Sequence, residues 1–349
     1  MIKKSLFIFF ICISSLVRAQ TVSSSQFIYD TASFASCHAS TIVETPKGIM
    51  AAWFGGKFEG DRDVNIYASW FINNRWSTPT LIADGFINDS IRYACYNPVL
   101  FLTSKNELLL FYKIGPNVQG WTGWMKRSTN FGVTWSKPER LPDGILGPIR
   151  NQPYEIDGML VCPSSTEKNG WKVHFEYTPD AGKTWTKGPD LNDANPITGI
   201  QPTILRHSNQ ILQALTRSQN GTANETWSYD NGKTWSALQQ TGLINNNSGI
   251  DAITLQDGRH LLVKSLNTVT TPNYRKSDIA QGHRDLMGTI IKPLSEIGLT
   301  DVRLGLSYVQ ATIDVASVRI ESGNDAAVEI EYAQKYAIAG LRALLDHSA

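Results

Sequence analysis

A histidine and a glutamate bracket an apolar hairpin near the start of the chain. Phe34-Ala-Ser-Cys-His38 leads into one apolar strand, and a second ends at Gly55-Gly56, ahead of Glu59 and Asp63. Imidazole transfers protons near neutral pH, and a carboxyl on a glycine-flanked loop serves as acid or electrostatic partner. Lys113, Arg150 and Arg217 supply cations, and arginine grips a carboxylate in bidentate fashion. Asn151, Gln201 and Asp251 offer polar groups suited to sugar hydroxyls, and Tyr274 and Arg275 complete the set. The chemistry these residues describe is proton transfer beside an acidic, hydroxyl-rich ligand.

Each residue also has a plainer use. A histidine opening a strand forms structural hydrogen bonds, an aspartate such as Asp63 caps a turn, and arginines satisfy carbonyls. His174 and Glu176 alternate on one strand and share a face, which suits a contact between layers or with solvent.

What brings these positions together is a repeat. Ser128-Thr-Asn-Phe-Gly-Val-Thr-Trp135, Thr178-Pro-Asp-Ala-Gly-Lys-Thr-Trp185 and Ser228-Tyr-Asp-Asn-Gly-Lys-Thr-Trp235 are copies of one octet, with tryptophans 50 residues apart. A degenerate copy ends at Trp76. In each octet, Asn130, Asp180 or Asp230 accepts hydrogen bonds from turn amides, and the glycine supplies a positive φ. The octet is therefore a hairpin and carries no chemistry of its own. A second pattern keeps the same period: an apolar strand, a polar turn, then another apolar strand, opening at His38, Asn97, Asn151, Gln201 and Asp251. Four strands per period is the unit of a β-propeller blade, and five units are visible. In such a fold the first strand of each blade lines the axis, so strand openings and second-strand exits (Glu59, Lys113, Ser164, Arg217) face one pocket.

The remaining features bound the function. With 42% hydrophobic and 18% charged residues and a net charge of +1, the 349-residue chain is globular, and no basic stripe suits nucleic acid. Lys3-Lys4, the apolar run Leu6 to Val17 and Ala19 describe a signal peptide over residues 1–19, too short for a permanent membrane span. A secreted or periplasmic monomer is expected. The three cysteines beyond it are widely spaced, so neither disulfides nor a metal site is expected, and no cofactor is implied. The propeller pattern covers 20–276. From 277 to 349 the texture changes: there is no Trp, Phe or Cys, and Ala326 to Leu345 has a helical apolar period. That α-rich tail reads as foreign to the propeller.

The octets resemble the Asp-boxes of the sialidase superfamily, and the stretch from Phe27 to Lys276 is similar to its secreted BNR-repeat proteins. The resemblance implies an all-β, six-bladed propeller with an axial pocket, of which about five blades are visible here. It also implies a glycan ligand. Where sialidases open the first blade with Arg-Ile-Pro, this chain reads His38-Ala39-Ser40, and Asp63-Val64 resembles the Asp-Ile that resumes the blade. The expected function is hydrolysis of a terminal acidic sugar, with His38, Glu59 or Asp63 in proton transfer. A uronate lyase and a carbohydrate-binding propeller are the alternatives.

Overall fold

The computed structural model describes residues 26–207 and 210–264. The expected leader, the α-rich tail, Tyr274 and Arg275 lie outside these residues. Among the described residues every element is a strand. Blade 1 contains β1 (Ser36–Thr45), β2 (Gly48–Gly56), β3 (Asn65–Ile72), β4 (Arg75–Trp76) and β5 (Thr80–Ala83). Blade 2 contains β6 (Ala94–Leu102), β7 (Leu108–Gly115), β8 (Thr122–Ser128) and β9 (Glu139–Arg140). Blade 3 contains β10 (Tyr154–Ile156), β11 (Met159–Thr166), β12 (Lys172–Thr178) and β13 (Thr186–Lys187). Blade 4 contains β14 (Ile200–Arg206), β15 (Leu212–Arg217), β16 (Thr222–Ser228) and β17 (Gln239–Ile244). Each blade is an antiparallel meander, with β5 of blade 1 pairing back onto β3. Of the fifth unit, the described residues hold the hairpin of β18 (Ile250–Thr254) and β19 (His260–Lys264).

The blades meet as a β-propeller because both faces of the middle strands are apolar. All of β7, Leu-Leu-Leu-Phe-Tyr-Lys-Ile-Gly, is buried. One core joins blades 1 and 2, and a second joins Phe111 and Met125 of blade 2 to Leu160 and Cys162 of blade 3. At the axis, side chains replace a continuous ladder. The Leu100 amide donates to Thr41 Oγ1 at 3.2 Å, Gln201 N to Ser165 Oγ at 3.0 Å, and Ala252 N to Thr203 Oγ1 at 3.0 Å. Cys95 and Cys162 are buried, whereas Cys37 is exposed and accepts a hydrogen bond from the Tyr29 hydroxyl at 3.0 Å.

The octets form hairpins and also join neighbouring blades. Asp180 Oδ1 accepts from the amides of Lys183 at 2.9 Å and Thr184 at 2.8 Å, and Oδ2 accepts from the Thr184 hydroxyl at 2.7 Å. Asp230 does the same with Thr234, and in blade 2 Asn130 closes an equivalent turn as a neutral amide. The turn takes two successive left-handed residues, such as Ala181 and Gly182 with φ of 56° and 97°. A Cβ on Gly182 would lie 2.8 Å from Met125 Sδ, because the turn presses on the preceding blade. The tryptophans follow: Trp235 stacks on Phe175 of blade 3 at 3.8 Å, and Trp185 meets Phe111 of blade 2 edge-on.

The 141–150 connection between blades 2 and 3 is held by buried charge. The Glu176 carboxylate accepts from the Leu146 amide at 3.0 Å, the Gly147 amide at 2.6 Å and the Ser164 hydroxyl at 3.3 Å. His174 Nε2 lies 3.0 Å from the same carboxylate. The Lys113 ammonium donates to the Pro148 carbonyl, and burial pulls its pKa down to about 7 while Glu176 acts to restore it. His174 and Glu176 thus occupy the contact between layers and not the solvent face.

Two stability outcomes follow from these contacts. Asp180→Ala is expected to cost about 2 kcal/mol in denaturant unfolding, since it strips a charged acceptor from its donors; Asp180→Asn is expected to cost less, Asn130 being the natural precedent. Slight desolvation raises each octet carboxyl, but the Thr184 and Thr234 hydrogen bonds outweigh it and draw Asp180 and Asp230 down to about 2. Their folded pKa lies below the unfolded value, so this stability is present above about pH 4 and is lost as pH falls through about 2. Acid unfolding of Asp180→Asn against wild type checks the sign. Glu176→Ala, which strands the Lys113 charge and two amides, is expected to cost about 3–5 kcal/mol; a loss under about 1 kcal/mol would remove Glu176 from its role as the clamp.

Candidate functional site

The inner strands open onto the axis through a shared distortion. Register shifts fall at His38/Thr41, Tyr96/Val99 and Ile200/Thr203, and Ala39, Asn97 and Gln201 there take φ of 52°, 41° and 54°. A bulge of this kind re-aims the neighbouring side chains and ends regular pairing. Non-glycine residues accept such a φ only where the surroundings hold them in it.

Arg150 reaches this rim at the end of the clamped connection. Its Nη1 donates to Asn151 Oδ1 at 3.1 Å. The Asn151 amide in turn donates to the carbonyls of Gln201 and Pro202 at 3.0 and 3.1 Å, anchoring Arg150 to blade 4. Gly249 packs beside the guanidinium, with a Cβ there only 3.5 Å from Arg150 Nε. Arg217 leaves β15 on the same rim, its guanidinium 5.2 Å from the centre of the Trp171 ring and its Nε donating to Asn247 Oδ1 at 2.8 Å. Both arginines are half-buried. Burial works against each charge, and Asp251 offsets it at Arg150 while Glu167 and then Glu59 offset it at Arg217, against the opposing charge of Arg150.

Four acidic groups complete the rim. Burial raises the pKa of Glu167, just past β11; Arg217 and a hydrogen bond from Trp171 lower it, and Glu59 raises it again. Glu59, exposed on the loop after β2, also acts on Tyr96, whose pKa burial raises first. Asp251 is raised by desolvation and lowered by Arg150 and by the Thr203 hydroxyl, which donates to it at 3.2 Å. Blades 1 to 4 and the fifth hairpin therefore each contribute one or more of these groups. Arg150, Asn151, Thr203 and Asp251 also line an axial cavity of about 470 Å³, within the range of small-ligand sites.

The structure sorts the residues singled out in the sequence. Arg150, Arg217, Glu59 and Asp251 lie on the rim. Lys113 is instead fully buried on the Pro148 carbonyl, and Asn151 is buried as the support of Arg150. Gln201 is buried, with its amide nitrogen on the backbone bound to Ser165. Asp63 accepts from the Lys57 amide at 3.0 Å and closes the loop that carries Glu59. His38 is exposed, with its ring edge-on to Phe54 at 5.5 Å. The sequence reading passed over Glu167, Tyr96 and Trp171. Glu167 follows Ser164 by three residues, and the strand simply runs further than its apolar stretch.

The comparisons with known proteins agree with this architecture. A solved protein of unknown function from Dyadobacter fermentans superposes with a TM-score of 0.55 at 18% identity, covering 65% of this chain and 74% of that one. The Hadza microbial sialidase Hz136 gives 0.53 at 14% identity, over 65% of this chain, which spans about half (52%) of that protein. The intramolecular trans-sialidase of Ruminococcus gnavus gives 0.52 at 14% identity, over 65% of this chain and 76% of that one. At these identities the likeness is one of fold. No curated protein sequence matches the chain significantly. The BNR repeat-like domain, however, matches residues 47–289, well over half the chain. The protein belongs to the BNR repeat-like family and has a sialidase-like β-propeller fold.

Proposed function

We propose that the protein hydrolyses the bond linking a terminal acidic sugar to a glycan, at the axial rim. What supports this reading is the placing of Arg150 on Asn151 and of Arg217 on Asn247 and over Trp171 at one rim, where Glu167 and Glu59 act on the Arg217 charge. Two arginines held on side-chain carbonyls, one of them over an indole, suit a sugar carboxylate. Glu167 is the proton donor: burial keeps it protonated to higher pH than an ordinary carboxyl, so it can hand its proton to the leaving oxygen. Glu59 is the opposing carboxylate, stabilising charge on the sugar or activating the attacking water. Water's hydroxyl ends on the anomeric carbon; its proton restores Glu167 where Glu59 only stabilises charge, and where Glu59 activates the water it takes that proton and both carboxyls re-equilibrate with solvent. Trp171 gives the ring an apolar platform. The secreted setting expected from residues 1–19 fits an extracellular or periplasmic glycan.

The test is mass spectrometry of products from sialylated and uronate-bearing glycans. Wild type is expected to release the acidic sugar with the mass of one water added. Glu167→Gln is expected to lower turnover about 10²–10⁴-fold and to remove the alkaline limb of the pH profile, which falls as Glu167 loses its proton. Arg217→Gln is expected to act mainly on KM. An unsaturated product formed without water would make the protein a lyase. Saturable glycan binding with no product would make it a binding propeller.

A further inference from the structure

We propose that His207 and His260 form a binding site for a divalent transition-metal ion of the zinc class, at the junction of blade 4 and the fifth hairpin. The two lie 53 residues apart in sequence, His207 after β14 and His260 opening β19, at the strand ends opposite the axial rim. His260 Nε2 faces His207 Nδ1 at 3.4 Å, with ring centres 4.4 Å apart. Two imidazole nitrogens on one tetrahedral zinc, each about 2.0–2.1 Å from the metal, stand about 3.4 Å apart.

Without a metal the two nitrogens share a hydrogen bond, and the groups around them suit both as ligands once that proton is displaced. Gln213 donates its amide to Glu225 Oε2 at 2.6 Å, so its carbonyl oxygen is the atom 3.1 Å from His207 Nε2. That bond requires the proton on Nε2 and leaves Nδ1 as a bare lone pair. Glu225 is itself held by Gln239 at 3.2 Å. On the other ring, His260 Nδ1 lies 3.1 Å from Thr254 Oγ1. With the Arg206 carbonyl at 3.2 Å as a second acceptor, the Thr254 hydroxyl is free to accept from Nδ1–H, the tautomer that His260 takes when Nε2 binds a metal. Ligating histidines are oriented by such second partners on their far nitrogens.

The pair opens on a cavity of about 640 Å³ lined also by Tyr154, Arg206, Gln210 and Asn231. Among the described residues no group of three or more His, Cys, Asp or Glu meets there, so water or an added ligand completes the coordination. Arg206 beside the pair favours an anion on the metal. Binding also adds a tie between β19 and the end of β14, next to the hydrogen bonds that already join β18 to blade 4.

The test uses the full chain stripped of metal with a chelator. Cobalt(II) titration is expected to give one saturable visible absorption that zinc displaces, and zinc is expected to raise the melting temperature. His207→Gln and His260→Gln are each expected to abolish both effects, and Gln213→Leu to weaken binding about 10–100-fold. His260 is exposed, so His260→Gln keeps the fold, and its metal-free melting curve verifies that. No saturable cobalt signal in the wild type, or a signal unchanged in both histidine variants, overturns the proposal.

Discussion

A carboxylate enclosed in protein must be surrounded by donors, and Glu176 meets that demand with two backbone amides, a serine and a histidine. The amides belong to the connection between blades 2 and 3, so the cost of burying one charge fixes the path of an otherwise irregular segment. Lys113 holds the next carbonyl along, and Arg150 emerges two residues beyond it. The position of the rim cation therefore rests on electrostatics inside the wall, several residues away from any ligand. Asn151 extends the chain of support into blade 4. Arg150 lies outside any strand, and this polar network fixes it instead.

The rim is a shared product of the blades. No blade carries more than one or two of the rim groups. Glu59 comes from a loop stapled by Asp63, Tyr96 from a bulged inner strand, Glu167 from a strand exit, and Arg217 from the next one. The mutual perturbation of these groups depends on blade-to-blade spacing, which the octets and their tryptophans set. Structural repeats that do no chemistry thus determine the electrostatics of the groups suited to it.

Much of this was legible from residue types. The octets have a fixed order of acceptor, glycine and tryptophan, and local chemistry dictates their turn. Arg150, Arg217, Glu59 and Asp251 reach one rim because strand openings and exits share one end of a propeller. Other assignments failed for physical reasons. Lys113 sits in a strand whose two faces are both covered, a state that alternation does not reveal for a single polar residue. Asn97 and Gln201 open their strands with backbone bulges, so their polarity serves conformation as much as recognition. Glu167 lay hidden because polar residues continue β11 past its apolar run. The His207–His260 pair joins two separate turns, and no local spacing announces it.

The lean of each octet onto the blade before it has a temporal meaning. Gly182 and Trp185 need Met125 and Phe111, and Trp235 needs Phe175; in each case the surface required belongs to an earlier stretch of chain. A ribosome delivers the chain in that same order, and domains fold as their N-terminal parts emerge. Every newly made octet therefore finds its docking surface already synthesised.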